Sequence, residues 1–142
     1  MNLNKIGEQV RRCTRCILWK HRLQALPGSG DQGAKYLVVL ESPDEHADRL
    51  GEIWEGLSGK KLKKLMKEQN VNIDDVFLTT LVKCSPHGSE VDDLEIEECG
   101  SYLKDQIKQL EHVKKIFVVS DKESLNLPKK AELVSSVKKI KF

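Results

Sequence analysis

Three short apolar segments, separated by stretches with helical periodicity, constrain the fold of this chain more than any other feature. They read KYLVVLES at 35–42, DDVFLTTLVKC at 74–84 and KKIFVVS at 114–120. Continuous apolar runs of this length are typical of strands that are buried on both faces of a parallel sheet. Strands that alternate with helices imply right-handed crossovers, so the sequence predicts an α/β fold with a short, mainly parallel central sheet.

The intervening segments predict helices over 3–10, over 59–70 with Ser58 as the cap, and from Ser89 onward. The apolar stripe of the last helix steps by three and four residues through Ile96, Cys99, Leu103, Ile107 and Leu110. The segment 43–59 lacks clean periodicity and is predicted to be a long loop. The weak alternation in SVKKIKF at 136–142 predicts a fourth, edge-like strand.

Composition fits one domain over residues 1–142. The chain is 39% hydrophobic and 32% charged, which is typical of a globular protein rather than a disordered one. No apolar run approaches the roughly 20 residues needed to cross a bilayer, and the first residues lack the apolar core of a secretory signal, so we expect an intracellular protein. The formal net charge of +2 gives no global basic field that would indicate nucleic acid.

Four cysteines form a close pair, Cys13 and Cys16, and a wide pair, Cys84 and Cys99. In a reducing compartment such a set more often binds metal or reacts than forms disulfides. Four thiolates suit zinc and an iron–sulfur cluster about equally. The spacing also allows two unrelated buried thiols beside one accidental pair, and it leaves these alternatives open.

Four blocks of the sequence resemble the family 4 uracil-DNA glycosylases. CTRCILWKHRLQALPGSG at 13–30 is similar to the family's opening, in which Cys-x2-Cys precedes a Val-Pro-Gly-x-Gly loop. Segments 40–66, 76–86 and 95–120 are similar to its Gly-Glu-Ala-Pro-Gly block, its Asn-Val-Val-Lys-Cys-Arg-Pro strand and its Glu-Ile-x3-Cys helix. The resemblance covers about residues 8 to 120 and implies a three-layer α/β/α sandwich.

The resemblance also implies the cofactor and the site. One 4Fe-4S cluster, structural rather than catalytic, would be ligated by Cys13, Cys16, Cys84 and Cys99, with zinc as the alternative. In the pocket, Glu41 stands at the family's motif glutamate, Thr80 at the asparagine that reads uracil, and Trp54 at the phenylalanine that stacks on the base. The remaining implied contacts are Pro43 to the base and, to DNA, Gly59, Lys60, Lys61 and Lys64.

Several departures from the family pattern argue against catalysis. A threonine hydroxyl cannot replace both hydrogen bonds of an asparagine amide. Asp44, where the family has glycine, is expected to place negative charge beside the phosphate path. The family's late His-Pro-Ser motif has no counterpart before Phe142. None of the four histidines is a convincing replacement: His21, His46, His87 and His112.

We therefore predict a catalytically degenerate glycosylase relative that binds DNA or a replication or repair protein. The alternative is an active, divergent glycosylase that excises uracil or a modified base. A third interpretation is a piece of a longer chain whose further residues supply the histidine. Base preference, protein partner and oligomeric state are not predicted.

Overall fold

The computed structural model describes residues 2–13, 25–85, 91, 93–120 and 131–142. Its helices are α1 (Leu3–Arg11), α2 (Glu45–Leu50), α3 (Leu57–Glu68) and α4 (Asp93–Gln109). Its strands are β1 (Tyr36–Leu40), β2 (Val76–Thr80), β3 (Lys115–Val119) and β4 (Ala131–Val134). All pairings are parallel, and the strand order is β2-β1-β3-β4.

Alternating strand side chains build an apolar layer on each face of the sheet. On one face, Val38 and Leu78 belong to a core cluster with Leu62 and Met66 of α3. On the other face, Leu37 and Val39 belong to a second cluster. It includes Leu110, just after α4, and Leu103 and Ile107 of α4 pack against it. The predicted three-layer α/β/α sandwich is therefore confirmed. In the described ranges, no helix combines the length and the apolar character that a membrane span requires.

The segment 43–59 is not the long loop that the sequence predicted. It contains α2 and a 3-10 turn at Ile53–Glu55 before α3 begins. A carboxylate oxygen of Asp44 accepts the amide of Ala47 and caps α2, and Gly51, with φ of 77°, ends it in the left-handed region. A helix of six residues is too short to show periodicity, which explains the wrong prediction.

The cap of α3 was also predicted wrongly. Gly56, not Ser58, occupies the N-cap position, and it has no side chain to offer. The second carboxylate oxygen of Asp44 accepts the amide of Leu57 at 2.8 Å instead. Leu62 and Met66 are buried and Leu65 is partly buried, and these positions form the apolar stripe of α3.

The fourth strand lies at 131–134, not at 136–142 as predicted. Val137–Lys139 form a 3-10 turn, in which Val137 and Ile140 lie three residues apart and both enter the core. Phe142 then packs edge-on against Tyr36 and Phe117. The C-terminal segment thus covers the α3 face of the sheet rather than extending its edge.

Helix α4 is confirmed within its described residues, and the beginning predicted at Ser89 lies outside them. Its fully buried positions are Glu95, Cys99, Tyr102 and Gln106. Ile96, Leu103 and Ile107 of the predicted apolar stripe are only partly buried, because the helix turns Glu95 and Gln106 toward the interior.

A glycine-rich loop covers the outer edge of β2. Ser29 exchanges both backbone hydrogen bonds with Leu78, at 2.8 and 2.9 Å. Gly28 and Gly30 have φ of 99° and 153°, and a Cβ on either would lie 2.7 Å from the β2 chain. Only glycine allows this close approach, which protects the exposed strand edge.

Candidate functional site

The carboxyl ends of β1 and β3 bring Glu41 and Ser120 together. The Ser120 hydroxyl donates to the Glu41 carboxylate at 2.7 Å, across neighbouring parallel strands. Glu41 is half-buried and Ser120 is buried. The carboxylate predicted from the family motif is therefore held at the sheet edge where ligands of open α/β sheets bind. The sequence predicts which residues follow a strand, but it does not predict which of them come into contact across neighbouring strands. Ser120 was therefore not predicted as the partner of Glu41.

Thr80 ends β2 and is almost completely enclosed, with 1% of its surface exposed. Among the described residues, its hydroxyl is the only buried side-chain polar atom without a hydrogen-bond partner. An unsatisfied buried hydroxyl costs about 1–3 kcal/mol. Its role in reading a base, implied by the resemblance, stays a prediction.

A buried lysine lies directly beside Thr80. The Lys83 amine donates to the Thr79 hydroxyl at 3.0 Å and to the Thr80 carbonyl oxygen. Burial lowers the pKa of Lys83 from 10.5 to about 7, while the nearby Cys99 acts in the opposite direction. Sequence reasoning missed this residue, since a lysine at a strand end is ordinarily solvated.

Trp54 lies in the 3-10 turn at Ile53–Glu55 and fills space in the core. Its side chain belongs to the large cluster on the α3 face, and 5% of the residue is exposed. The indole N–H donates to the Ser29 carbonyl oxygen at 3.1 Å, which ties the turn to the glycine-rich loop. Pro43 is buried as well. The base contacts predicted for Trp54 and Pro43 are not tested by this geometry.

The Asp44 carboxylate lies at the N-termini of α2 and α3. Its two oxygens accept from the first turns of α2 and α3, at 2.9 and 2.8 Å. Both helix N-termini carry a partial positive charge that offsets the carboxylate. The negative charge that we expected beside a phosphate path is therefore partly neutralised within the fold.

The residues predicted to contact DNA divide into one buried and three exposed positions. A Cβ on Gly59 would lie 2.6 Å from the Trp54 carbonyl oxygen, so this glycine allows α3 to pack against the 3-10 turn. Lys60, Lys61 and Lys64 are exposed on α3. Their contact with DNA stays a prediction.

Three of the four cysteines converge in one buried cluster. Cys13 follows α1, Cys84 follows β2 and Cys99 lies in α4, and all three pack among apolar neighbours such as Val10 and Val82. Cys16 lies outside the described residues. Within the described ranges, no three or more His, Cys, Asp or Glu side chains are arranged to hold a metal ion. The donor chemistry fits a thiolate-bound metal centre, but a complete ligand set is not present in this part of the chain.

Among the described residues, the side chain that hydrogen-bonds to the Glu41 carboxylate is Ser120 and not a histidine. His46 is exposed on α2, and His112 is exposed in the turn after α4. His21 and His87 fall outside the described residues, so their predicted loop positions are not tested.

Comparison with known proteins identifies the family. Residues 27–134 match the family model of the uracil DNA glycosylase superfamily. The type-4 uracil-DNA glycosylase of Saccharolobus solfataricus is 39% identical over 111 residues, which cover 77% of this chain and 51% of that protein. The enzyme of that name from Sulfurisphaera tokodaii is 35% identical over 144 residues, covering 99% of this chain and 64% of the relative.

A third relative, the type-4 uracil-DNA glycosylase of Pyrobaculum aerophilum, is 34% identical over 75% of this chain and 55% of its own length. The chain thus spans between 51% and 64% of the length of these three relatives. The family match extends over most of the chain and includes Glu41 and Thr80. The chain therefore belongs to the uracil DNA glycosylase superfamily, and its similarity lies with the type-4 members.

Proposed function

We propose that this chain is a catalytically degenerate member of the superfamily that binds the DNA backbone weakly and contains a structural 4Fe-4S cluster. The burial of Thr80 and Trp54, two of the positions predicted to contact the base, is the observation that carries this proposal. A glycosylase must extrude a base from the duplex and enclose it in a pocket that reads its edge and stacks on its face. Here both positions are enclosed by the protein's own core.

The packing around these positions leaves a base little to contact. The indole of Trp54 is part of a core cluster and is hydrogen-bonded to Ser29. The Thr80 hydroxyl would supply one group where two are needed to recognise a uracil edge. A cavity of about 390 Å³ does exist in the described part of the chain, but Glu41, Trp54 and Thr80 do not line it.

A glycosylase assay tests this proposal directly. The protein is incubated in excess with a uracil-containing oligonucleotide, and abasic sites are detected by alkaline cleavage. We expect no product. Product that disappears in Glu41→Ala but persists in Glu8→Ala, which removes an exposed carboxylate from α1, would contradict the proposal.

The alternative of an active glycosylase is supported by one observation. Glu41 retains a half-buried carboxylate that Ser120 fixes at the carboxyl ends of β1 and β3. A carboxylate in that position has the chemistry to orient water or to stabilise charge at the sugar. If the enzyme is active, Ser120→Ala should slow product formation without abolishing it, because the carboxylate loses its orientation and not its charge.

Weak binding to the DNA backbone is supported by the exposed lysines of α3. If Lys60, Lys61 and Lys64 each neutralise a phosphate, the logarithm of the binding constant should fall with the logarithm of salt concentration with a slope of about −3. In the double variant K60Q/K64Q, the magnitude of this slope should be smaller by about 2. Fluorescence anisotropy with a labelled duplex measures both values.

A matched control separates backbone contact from general basicity. K138Q/K139Q removes two exposed lysines near the C-terminus of the described chain and should leave the slope unchanged. A flat salt response of the parent protein would contradict DNA binding. A replication or repair protein would then be the partner to test.

The 4Fe-4S cluster is supported by the convergence of Cys13, Cys84 and Cys99 in one apolar cluster. Together with Cys16, these thiolates would hold the metal centre. Thiolate ligation at these positions would connect α1 to β2 and α4, and metal binding would stabilise the folded state, since an unfolded chain has no preformed site. Its components are measured on anaerobically purified protein by visible absorption and by iron, sulfide and zinc analysis. Zinc without iron would identify the alternative metal. The absence of both iron and zinc would contradict the proposal.

A further inference from the structure

We infer that the exposed face of α3 recognises single-stranded DNA, with Leu57 contacting unpaired bases and the lysines of the same face contacting phosphates. This inference rests on the proposed binding of DNA by α3, and it states which form of DNA the surface fits. It makes no use of Glu41, so it applies whether or not the strand-end site is catalytic.

The exposed positions of α3 form one continuous face. They recur every three or four residues and comprise Leu57, Lys60, Lys61, Lys64, Lys67 and Glu68. Residues at this spacing are neighbours on the surface of a helix. The face therefore begins with an apolar side chain, continues with four lysines as far as about 15 Å along the helix axis, and ends with its acidic residue.

The four lysines of this face are available to a ligand. Within the described part of the chain, none of them forms an ion pair or a side-chain hydrogen bond. Lys63 lies off this face and differs, because its amine pairs with the Glu55 carboxylate at 3.2 Å. The charge that α3 presents to solvent is therefore concentrated on one face, where it can meet a phosphate chain.

Three acidic side chains close to the start of α3 are engaged by the fold. Asp44 caps α2 and α3 with its two oxygens. Glu52 accepts the backbone amide of Trp54 at 3.2 Å, and Glu55 binds the amine of Lys63. These interactions reduce the repulsion that the three carboxylates would exert on a phosphate near Leu57.

Leu57 is an exposed apolar side chain on a fixed backbone. It is 54% exposed, yet its amide donates to the Asp44 carboxylate at 2.8 Å. The same turn of helix packs against the preceding 3-10 turn through Gly59. A ligand can therefore cover the leucine without the cost of ordering a loop.

An apolar side chain beside lysines selects the form of DNA. In an intact duplex the base faces are stacked, so a basic helix meets mainly phosphates. A single strand offers phosphates together with exposed base faces. Aromatic rings are the usual contacts to base faces, and leucine is among the apolar side chains that insert between bases. Ile73 and Leu94 are also exposed, but acidic residues adjoin both in the sequence.

Fluorescence anisotropy with a labelled single strand, and with the same strand annealed to its complement, tests the inference. At matched salt concentration we expect the parent protein to bind the single strand more tightly. Leu57→Ala should weaken single-strand binding by about fivefold, or about 1 kcal/mol, and duplex binding by less than about twofold. An equal loss on both forms, or no loss on either, would overturn the inference.

Two further variants show whether the effect belongs to the apolar contact at this position. Leu57→Met keeps a flexible apolar side chain and should bind the single strand within about twofold of the parent. Ile73→Ala removes an apolar side chain that is 48% exposed in the 3-10 turn before β2. It should leave binding of both forms unchanged, and a loss as large as that of Leu57→Ala would contradict the assignment.

The salt dependence separates a lost contact from a disturbed helix. On a single strand, each neutralised phosphate contributes about −0.7 to the slope of the logarithm of the binding constant against the logarithm of salt concentration. K60Q/K64Q should therefore reduce the magnitude of the slope by about 1.4. Leu57→Ala removes no charge and should keep the parent slope. A changed slope in Leu57→Ala would mean that the lysines had moved, which refutes a direct contact.

The parent protein alone distinguishes failure of this inference from failure of the proposed DNA binding. If it binds the duplex with the expected salt dependence but the single strand no more tightly, only the inference about single strands fails. If it binds neither form, the proposed DNA binding fails as well.

Discussion

Asp44 should be one of the most important side chains for stability outside the apolar core. Its two carboxylate oxygens accept from Ala47 and Leu57, which are in the first turns of α2 and α3. One side chain therefore caps two helices, although Leu57 lies 13 residues after Asp44 in the sequence. Asp44→Ala removes both hydrogen bonds and the charge near two positive helix ends.

The expected loss follows from the two caps. Replacing a capping side chain with alanine costs about 1 kcal/mol per helix, and losing a favourable charge at a helix N-terminus adds about 0.3–1 kcal/mol. We therefore expect Asp44→Ala to lower the free energy of unfolding by about 2–3 kcal/mol. For a chain of 142 residues, this corresponds to a fall in Tm of about 7–10 °C.

Urea unfolding followed by circular dichroism measures the effect, and two variants serve as controls. Asp44→Asn keeps one acceptor oxygen and should lose about half as much as Asp44→Ala. Asp31→Ala removes an exposed carboxylate that accepts only from the nearby amide of Gly33, at 2.9 Å, and should cost less than about 0.5 kcal/mol. If Asp44→Ala costs no more than Asp31→Ala, the double cap does not contribute to stability.

Two further predictions concern close packing and a buried hydrogen bond. Gly59→Ala should destabilise by about 1–3 kcal/mol, because its Cβ would meet backbone atoms at 2.6–2.7 Å. Gly100→Ala lies inside α4 with no atom within 4 Å of the new Cβ, and it should instead stabilise the protein by about 0.5–1 kcal/mol. If both variants change the free energy of unfolding in the same direction, as measured by urea unfolding, the packing argument is refuted. Trp54→Phe keeps an aromatic ring but loses the donation to Ser29, and should cost about 0.5–1.5 kcal/mol; unchanged stability would show that this bond contributes nothing.

The sheet could be predicted from sequence because its signal is local. Each of the segments 35–42, 74–84 and 114–120 contains a strand of five residues. A strand buried on both faces needs apolar side chains at successive positions, and few other structures in a domain of this size have that requirement. Alternation with helices then fixed the parallel arrangement.

The errors occurred where the determining contact is distant in sequence or where an element is short. The cap of α3 comes from Asp44, 13 residues before Leu57, so no local pattern at Ser58 could reveal it. In the C-terminal segment, Ile140 and Phe142 alternate as in a strand, whereas Val137 and Ile140 have the three-residue spacing of a 3-10 turn. Strand β4 is half-exposed and only four residues long, which gives a weak signal.

Polar side chains in the interior were also beyond sequence reasoning. Gln106 lies on the buried face of α4 because Thr79 and the Pro27 carbonyl oxygen satisfy its amide. Lys83 is buried because the same threonine and the Thr80 carbonyl oxygen accept from its amine. Burial of a polar group depends on its partners. The partners of Gln106 lie 27 and 79 residues away in the sequence, whereas those of Lys83 lie three and four residues away.

The departures from the family motif differ in what they do for the fold. Asp44 caps two helices and Trp54 fills a core cluster and bonds to the glycine-rich loop, so restoring the family's glycine or phenylalanine at these positions would remove stabilising contacts. Thr80 has no such role for its hydroxyl, which makes no hydrogen bond. An attempt to rebuild base recognition should therefore begin with Thr80→Asn, because at this position alone of the three the polar side-chain atom makes no hydrogen bond.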